Sequence, residues 1–225
     1  MNRISIAIDG PAGAGKSTIA KAIAKKMNIL HLDTGAMYRA VGLKAIRLGI
    51  PCTDRERCSL MIEDTDIDVS FENGIQRVYA DGEDVTPYIR TQEVAKAASD
   101  ISVHPAVRIK LVEAQRQIAK KYDVVMDGRD IGSYVLPDAM CKIYLTATVT
   151  ERARRRFLDL ENAGALSGRT LDDVIVEIMD RDRVDSTREF SPLMRAGDAI
   201  EVDTTNIDAQ TAINTVLEIV EGRIR

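Results

Sequence analysis

Gly10-Pro11-Ala12-Gly13-Ala14-Gly15-Lys16-Ser17 satisfies the spacing G-x-x-x-x-G-K-[ST] in full. Glycine lets a backbone turn at positive φ and come close to a ligand. The N–H groups of such a loop point inward as an anion-binding nest. A helix starting at the end of the loop adds unpaired N–H groups and the positive end of its dipole. Lys16 supplies a mobile charge for the β and γ oxygens of a nucleotide, and the Ser17 hydroxyl is a candidate Mg²⁺ ligand. The flanks agree. Ile4 to Ile8 alternates as a strand does, and Thr18 to Met27 carries Ile19, Ala20, Ile23, Ala24 and Met27 at helical spacing. Strand, loop and helix together predict a nucleotide-phosphate site made of residues 10–18, without saying whether the protein is a kinase, a switch or a motor.

The same alternation continues outward. Apolar segments 4–8, 28–32, 122–126, 141–146 and 198–203 read as buried strands. Helical patterns at 16–27, 36–48, 105–121, 150–162, 170–184 and 208–222 lie between and after them. This order predicts an α/β fold of three layers, with a five-stranded parallel sheet covered on both faces. Sites in such sheets lie beyond the carboxyl ends of the strands, where loops 9–17, 33–39 and 127–133 all carry chemistry. Residues 65–90 break the pattern. Two strand-like runs flank Asn73-Gly74, a hairpin signal, and predict a small antiparallel insert.

At 225 residues, 45% of them apolar and 29% charged, the chain reads as a single globular domain with a large core. A net charge of −4 provides no general attraction for nucleic acid. No apolar run reaches membrane-spanning length, and entry into a strand within four residues argues against a signal peptide. Cys52, Cys58 and Cys141 have no C-x-x-C spacing and read as reduced thiols of a cytoplasmic protein. With only His31 and His104 available, a histidine-based metal site is not expected, and both read as structural.

Three further segments carry charge. Val124-Val125-Met126-Asp127 is an apolar strand ending in a carboxylate placed to hold Mg²⁺ or its water shell. Gly128-Arg129-Asp130 follows on the same loop. Arg152, Arg154, Arg155 and Arg156 form one arginine cluster, and Arg181, Arg183 and Arg188 belong to another. An Arg/Asp run on its own is most simply a solvated helix face. Beside a phosphate loop it suits two-pronged phosphate contacts, which arginine makes and lysine does not. After the second strand, Asp33-Thr34-Gly35 starts a helix, with Thr34 readable as its cap or as a ligand hydroxyl.

The stretches IDGPAGAGKST (8–18), LDTGAMYR (32–39), GEDVTPYIRTQEVAKAAS (82–99), VMDGRDIG (125–132) and RDRVDSTREFSPL (181–193) together resemble the bacterial cytidylate kinases. The likeness spans nearly the whole chain, and Thr34 stands where many members carry serine. It implies ATP as phosphoryl donor with Mg²⁺, CMP and dCMP as acceptors, and a monomer. It also implies a core (1–33, 105–150 and 192–225), an acceptor region with the insert (34–104) and a helical lid (151–191). Residues 10–18, with Arg152 and Arg156 from the lid, would hold the donor. Thr34, Ser99, Arg108 and Asp130 would read cytosine, Arg39, Arg129 and Arg188 would clamp the acceptor phosphate, and Arg181 and Asp185 would meet the ribose. Lys16, Asp127, Arg129 and Arg188 would act in transfer itself. A carboxylate at Asp130 suits the amino group at cytosine N4. The carbonyl of uracil would leave it unmatched, at about 1–3 kcal/mol.

Two rivals remain. A nucleotide switch is expected to carry Asn-Lys-x-Asp, and no asparagine here is followed by lysine. Another P-loop kinase, for UMP or shikimate, shares the loop but not the other segments. The lid is expected to stand open without ligand, since its arginines repel one another and those across the cleft.

Overall fold

The computed structural model describes residues 3–72 and 74–224. Eight strands and eight α-helices are present among them. In chain order the core elements are β1 (Ser5–Asp9), α1 (Lys16–Met27), β2 (Leu30–Asp33) and α2 (Thr34–Arg47). Then come α3 (Arg55–Glu63), β3 (Ile67–Glu72), β4 (Ile75–Ala80), β5 (Glu83–Asp84) and α4 (Gln92–Ile101). The chain returns with α5 (Pro105–Lys121), β6 (Val124–Asp127), a π-helical turn at Ile131–Val135 and β7 (Cys141–Thr146). It ends with α6 (Val149–Asn162), α7 (Leu171–Thr187), β8 (Ile200–Asp203) and α8 (Ala209–Ile224).

The five-stranded sheet has the order β2-β6-β1-β7-β8, and every pairing in it is parallel. Alternation along the strands divides the core. Ala7, Leu32, Val124 and Met126 face one way, onto Met37 and Val41 of α2 and Leu111 of α5. Ile6, Ile8, Val125 and Ile143 face the other, onto Ile19 and Ile23 of α1 and Val216 and Val220 of α8. Helices therefore cover both faces, as the alternating sequence predicts.

The insert is a three-stranded antiparallel sheet, β3-β4-β5, with Ile67 opposite Ala80 and Glu72 opposite Ile75. Asn73, half of the turn signal, lies outside the described residues; Gly74 has φ 76°. Helices α3 and α4 were not expected from the sequence. Each is short, nine and ten residues, and held by local capping: Asp54 accepts from the Arg57 amide and Thr91 from the Val94 amide. Helix α2 starts two residues earlier than expected, because Asp33, not Thr34, is its cap: Asp33 Oδ1 accepts from the Ala36 amide at 3.0 Å.

Helices α6 and α7 form a hairpin with a small core of its own, Ala153, Leu160, Val174 and Ile178. It is docked on the phosphate loop rather than standing open. Asp182 Oδ1 accepts from the Ala12 amide at 3.3 Å, and Arg152 Nη1 donates to the Ala12 carbonyl at 3.0 Å. The repulsion expected among the arginines is offset by Asp130, Asp182 and Asp185, each of which pairs with one or more of them. No helix among the described residues is long and apolar enough to cross a membrane.

Candidate active site

The site begins where β1 ends. Gly10 has φ 144°, and a Cβ placed there would sit 2.0 Å from the Leu145 carbonyl oxygen, so only glycine passes this neighbouring strand. Gly15 caps α1 in the left-handed region, and no side chain bonds to the first amides of the helix. They remain as donors for an anion. Lys16 Nζ donates to the carbonyls of Gly10 (2.7 Å) and Pro11 (2.6 Å), which holds the ammonium inside the loop. Burial, and then Arg129, push its pKa well below the usual lysine value.

Behind the loop, Ser17 Oγ donates to Asp127 Oδ2 at 2.6 Å, and the other carboxylate oxygen is 2.6 Å from His31 Nε2. Thr34 Oγ1 donates to the Asp127 carbonyl at 2.8 Å. His31 thus acts structurally, by orienting the carboxylate. His104, the other histidine, bonds the Cys52 carbonyl far from this cluster.

Asp127 leads into Gly128, where a Cβ would meet the Ile131 side chain at 2.6 Å. The loop folds that tightly because Asp9, at the end of β1, accepts from the amides of Ile131 (2.8 Å) and Gly132 (2.7 Å). This presents the Arg129 and Asp130 side chains to the cleft. Arg129 Nε donates to Asp185 Oδ2 at 2.6 Å, which joins the loop to α7. Asp130 Oδ2 accepts from Arg108 Nη2 (2.5 Å) and Ser191 Oγ (2.5 Å), and its Oδ1 lies 3.4 Å from Arg188 Nη2.

Burial pushes the Asp9 carboxyl up to about 6 from 3.8, against the two amides. Its proton is bound more tightly in the folded chain, so its stabilising contribution is complete below pH 3.8 and is lost as the pH rises through about 6. The stability difference between wild type and Asp9→Asn is therefore expected to fall by about 3 kcal/mol from about pH 4 to 7 in urea unfolding. A difference independent of pH would show that Asp9 is ionised throughout.

One cavity of about 770 Å³ runs from the phosphate loop to α4 and α5. It is lined by residues 12–18 and by Thr34, Arg39, Ser99, Arg108, Asp127, Arg129, Asp130, Arg156, Arg181, Asp185 and Arg188. Three expected residues do not line it. Gly10 and Pro11 form the loop's far side, where their carbonyls hold Lys16. Arg152 is a correction of another kind. It is buried, with Nε on the Ala147 carbonyl (2.9 Å) and Nη1 shared between the Ala12 carbonyl and Asp182 (2.6 Å). Of the four arginines on this stretch of helix, Arg154, Arg155 and Arg156 line the cavity and Arg152 alone turns inward. Arg154 and Arg155 pair with Glu151, whereas Arg156 has no ion-pair partner among the described residues.

Other functional groups had no motif to announce them. Arg90, on the loop before α4, donates to Asp33 Oδ2 at 3.1 Å beside Arg39 at 2.8 Å. Asp182 and Ser191 lie within the arginine-rich stretch and only in three dimensions meet Arg152 and Asp130.

Cations and carboxylates both line the cavity, and burial disfavours the charge on several of the cations. Burial lowers the pKa of Arg39, Arg181 and Arg188; for Arg181, with Arg129 next in effect, the value falls to about 10. Arg39 Nε, Arg108 Nε, Arg181 Nε and Arg188 Nη2 are buried with no hydrogen-bond partner among the described residues. Guanidinium groups lining one cavity form a receptor for anions.

Comparison with known proteins agrees. The family model described as cytidylate kinase matches residues 6–222. The chain belongs to the cytidylate kinase family. Among curated relatives, the cytidylate kinase of Caldicellulosiruptor saccharolyticus is 50% identical over 97% of this chain and 96% of its own. The cytidylate kinase of Bacillus subtilis is 45% identical over 99% of each chain. A gluconokinase structure from Sinorhizobium meliloti shares the fold (TM-score 0.52, 12% identity, 98% of this chain and 93% of that one). Family membership makes the chain a nucleotide-binding P-loop kinase of the cytidylate kinase group, as its sequence segments imply.

Proposed function

We propose that the protein transfers the γ-phosphoryl group of ATP to CMP or dCMP, releasing ADP and CDP or dCDP. The observation that carries this reading is the set of arginines, Arg39, Arg108, Arg181 and Arg188, lining the cavity that also contains the phosphate loop. One end fits a donor triphosphate and the other a nucleoside monophosphate. In this reading residues 34–104 receive the acceptor, 151–191 cover the donor, and 1–33, 105–150 and 192–225 form the core between them. Three free cysteines support a reducing, cytoplasmic setting.

Mg²⁺ fits the residues present. The Ser17 hydroxyl and the Asp127 carboxylate place hard oxygen donors 2.6 Å apart beside the loop. They would hold the ion, and when bound it would neutralise charge on the β and γ oxygens. The chain's own residues do the rest. Residues 12–18 wrap the donor phosphates with amides, and Lys16 sits where charge grows during transfer. Arg39, Arg129 and Arg188 hold the acceptor phosphate against its own repulsion from the donor. The nucleophile is already a phosphate anion, so no strong base is required. Residues of the docked α6–α7 hairpin keep water from the γ-phosphoryl.

For the base, Asp130 Oδ2 is occupied by Arg108 and Ser191, which leaves Oδ1 to accept from an amino group such as cytosine N4. Thr34 and Ser99 add hydroxyls nearby, although the Thr34 hydroxyl proton is already donated to the Asp127 carbonyl. ADP release measured against CMP, dCMP, UMP, AMP and shikimate tests the whole assignment. Turnover of AMP without CMP would overturn it. Arg129→Lys and Arg188→Lys keep charge but lose the two-pronged contact. Each is expected to raise the CMP KM about tenfold, and full activity with lysine at both positions would show that charge alone suffices.

A further inference from the structure

The antiparallel insert lines none of the cavity through its strands, yet one side chain ties it to the cavity's arginines. We propose that Gln76 of β4 is a positioning residue for Arg39 and Arg90, and that the insert sets the geometry of the acceptor-phosphate grip through it. The proposal rests on the phosphate role given above to this end of the cavity.

Strand β2 is an edge of the parallel sheet, paired only with β6. Its last residue, Asp33, therefore has no strand on its outer side. Gln76 fills that place with its amide. Gln76 Oε1 accepts from the Asp33 N–H at 2.7 Å, and Gln76 Nε2 donates to the Asp33 carbonyl at 3.1 Å. Both backbone groups of one residue are thus held by one planar side chain, as a neighbouring peptide would hold them. Gln76 is itself held by the β3–β4 pairing, in which it stands opposite Phe71.

Asp33 is where that constraint becomes functional. Its Oδ1 caps α2 through the Ala36 amide, and its Oδ2 accepts from Arg39 (2.8 Å) and Arg90 (3.1 Å). Burial alone would push the Asp33 carboxyl up, but the two guanidiniums outweigh it and hold the group below the usual carboxylate range. Asp33 is thus a fixed anion between two cations, both facing the cavity. Arg39 is largely buried with Nε unpartnered, so where its free edge points depends on where the Asp33 carboxylate is held. Small displacements matter at such a site, because catalytic groups must sit within about 0.5 Å of productive geometry.

Gln76→Met keeps the size of the side chain and removes both hydrogen bonds. It is expected to raise the KM of the acceptor monophosphate about tenfold while the ATP KM stays nearly unchanged, with the melting temperature lowered only by the loss of the two hydrogen bonds. The Asp33 amide should exchange hydrogen faster in the variant without any nucleotide. Combined with Arg39→Lys, the two effects on acceptor KM should be less than additive, since both act in part through Arg39. Gln76→Ala is the second variant if Gln76→Met misfolds. Equal rises in both KM values, full additivity, or unchanged Asp33 exchange would overturn the positioning role. The shift is expected with whichever nucleoside monophosphate the wild type uses. A wild type that prefers UMP or AMP therefore overturns the cytosine assignment and not this one, whereas a wild type that phosphorylates no monophosphate overturns both.

Discussion

Lys16→Ala is expected to lose phosphoryl transfer by about 10²–10³-fold while unfolding at a temperature no lower than wild type. The rate loss follows from removing a preorganised positive charge aimed at the transferring phosphoryl, worth about 3–4 kcal/mol in a water-poor site. The stability expectation follows from the structure. Lys16 is buried, and burial together with Arg129 and Arg181 disfavours its charge; its protein partners are two loop carbonyls. An ammonium so placed is costly to the fold and is retained for what it does to an anion. Steady-state kinetics with thermal unfolding of the same preparation check both halves. Wild-type turnover would remove Lys16 from the mechanism. A large fall in melting temperature would show that the two carbonyl contacts outweigh the burial cost.

Asp130→Asn is expected to damage both stability and acceptor use. Asp130 is the shared counter-charge of Arg108, which is 1% exposed, and of Arg188. Taking the negative charge away leaves buried guanidiniums uncompensated, at about 3–5 kcal/mol of folding stability. It also leaves an amide where a carboxylate was held for an incoming amino group. CMP KM should therefore rise far more than ATP KM, and the preference for CMP over UMP should shrink. Urea unfolding and kinetics on both nucleotides measure the two effects separately. Equal loss for donor and acceptor would make Asp130 purely structural, and unchanged stability would mean that the Arg108 pair is not the counter-charge its geometry shows.

Asp130 also illustrates why cation clusters are hard to judge from sequence. The arginines of α6 and α7 suggest mutual repulsion when read along the chain. In the fold, Asp182 lies on Arg152, Asp185 on Arg129 and Asp130 between Arg108 and Arg188. Those carboxylates come from α7 and from the loop after β6, so no single stretch of sequence displays the balance. What has no ion-pair partner among the described residues, at Lys16, Arg156 and Arg181, is the charge that a pair of phosphate-bearing substrates would meet.

The phosphate loop was legible in the chain because its function depends on backbone shape, and glycine spacing encodes backbone shape directly. Gly10 could be nothing else beside Leu145, and Gly15 holds φ 89°, a conformation that side-chain-bearing residues rarely adopt. The parallel sheet was legible too, since buried strands alternating with amphipathic helices leave few ways to cover both faces. Helix α3 escaped because nine residues give little periodicity, whereas α4 does carry Val94, Ala97, Ala98 and Ile101 at helical spacing, two of them alanines that mark an apolar face weakly; both are held by a cap and by packing on α2 and α5. Tertiary structure alone decided which arginines face the cavity, which carboxylate each one meets, and that Arg152 supports the loop instead of lining the cleft. Helical rotation and long-range pairing set those choices, with partners such as Asp33 and Gln76 or Ser17 and Asp127 lying 43 and 110 residues apart. A residue's chemical type is written in the sequence, but the direction its charge points is a property of the packed molecule.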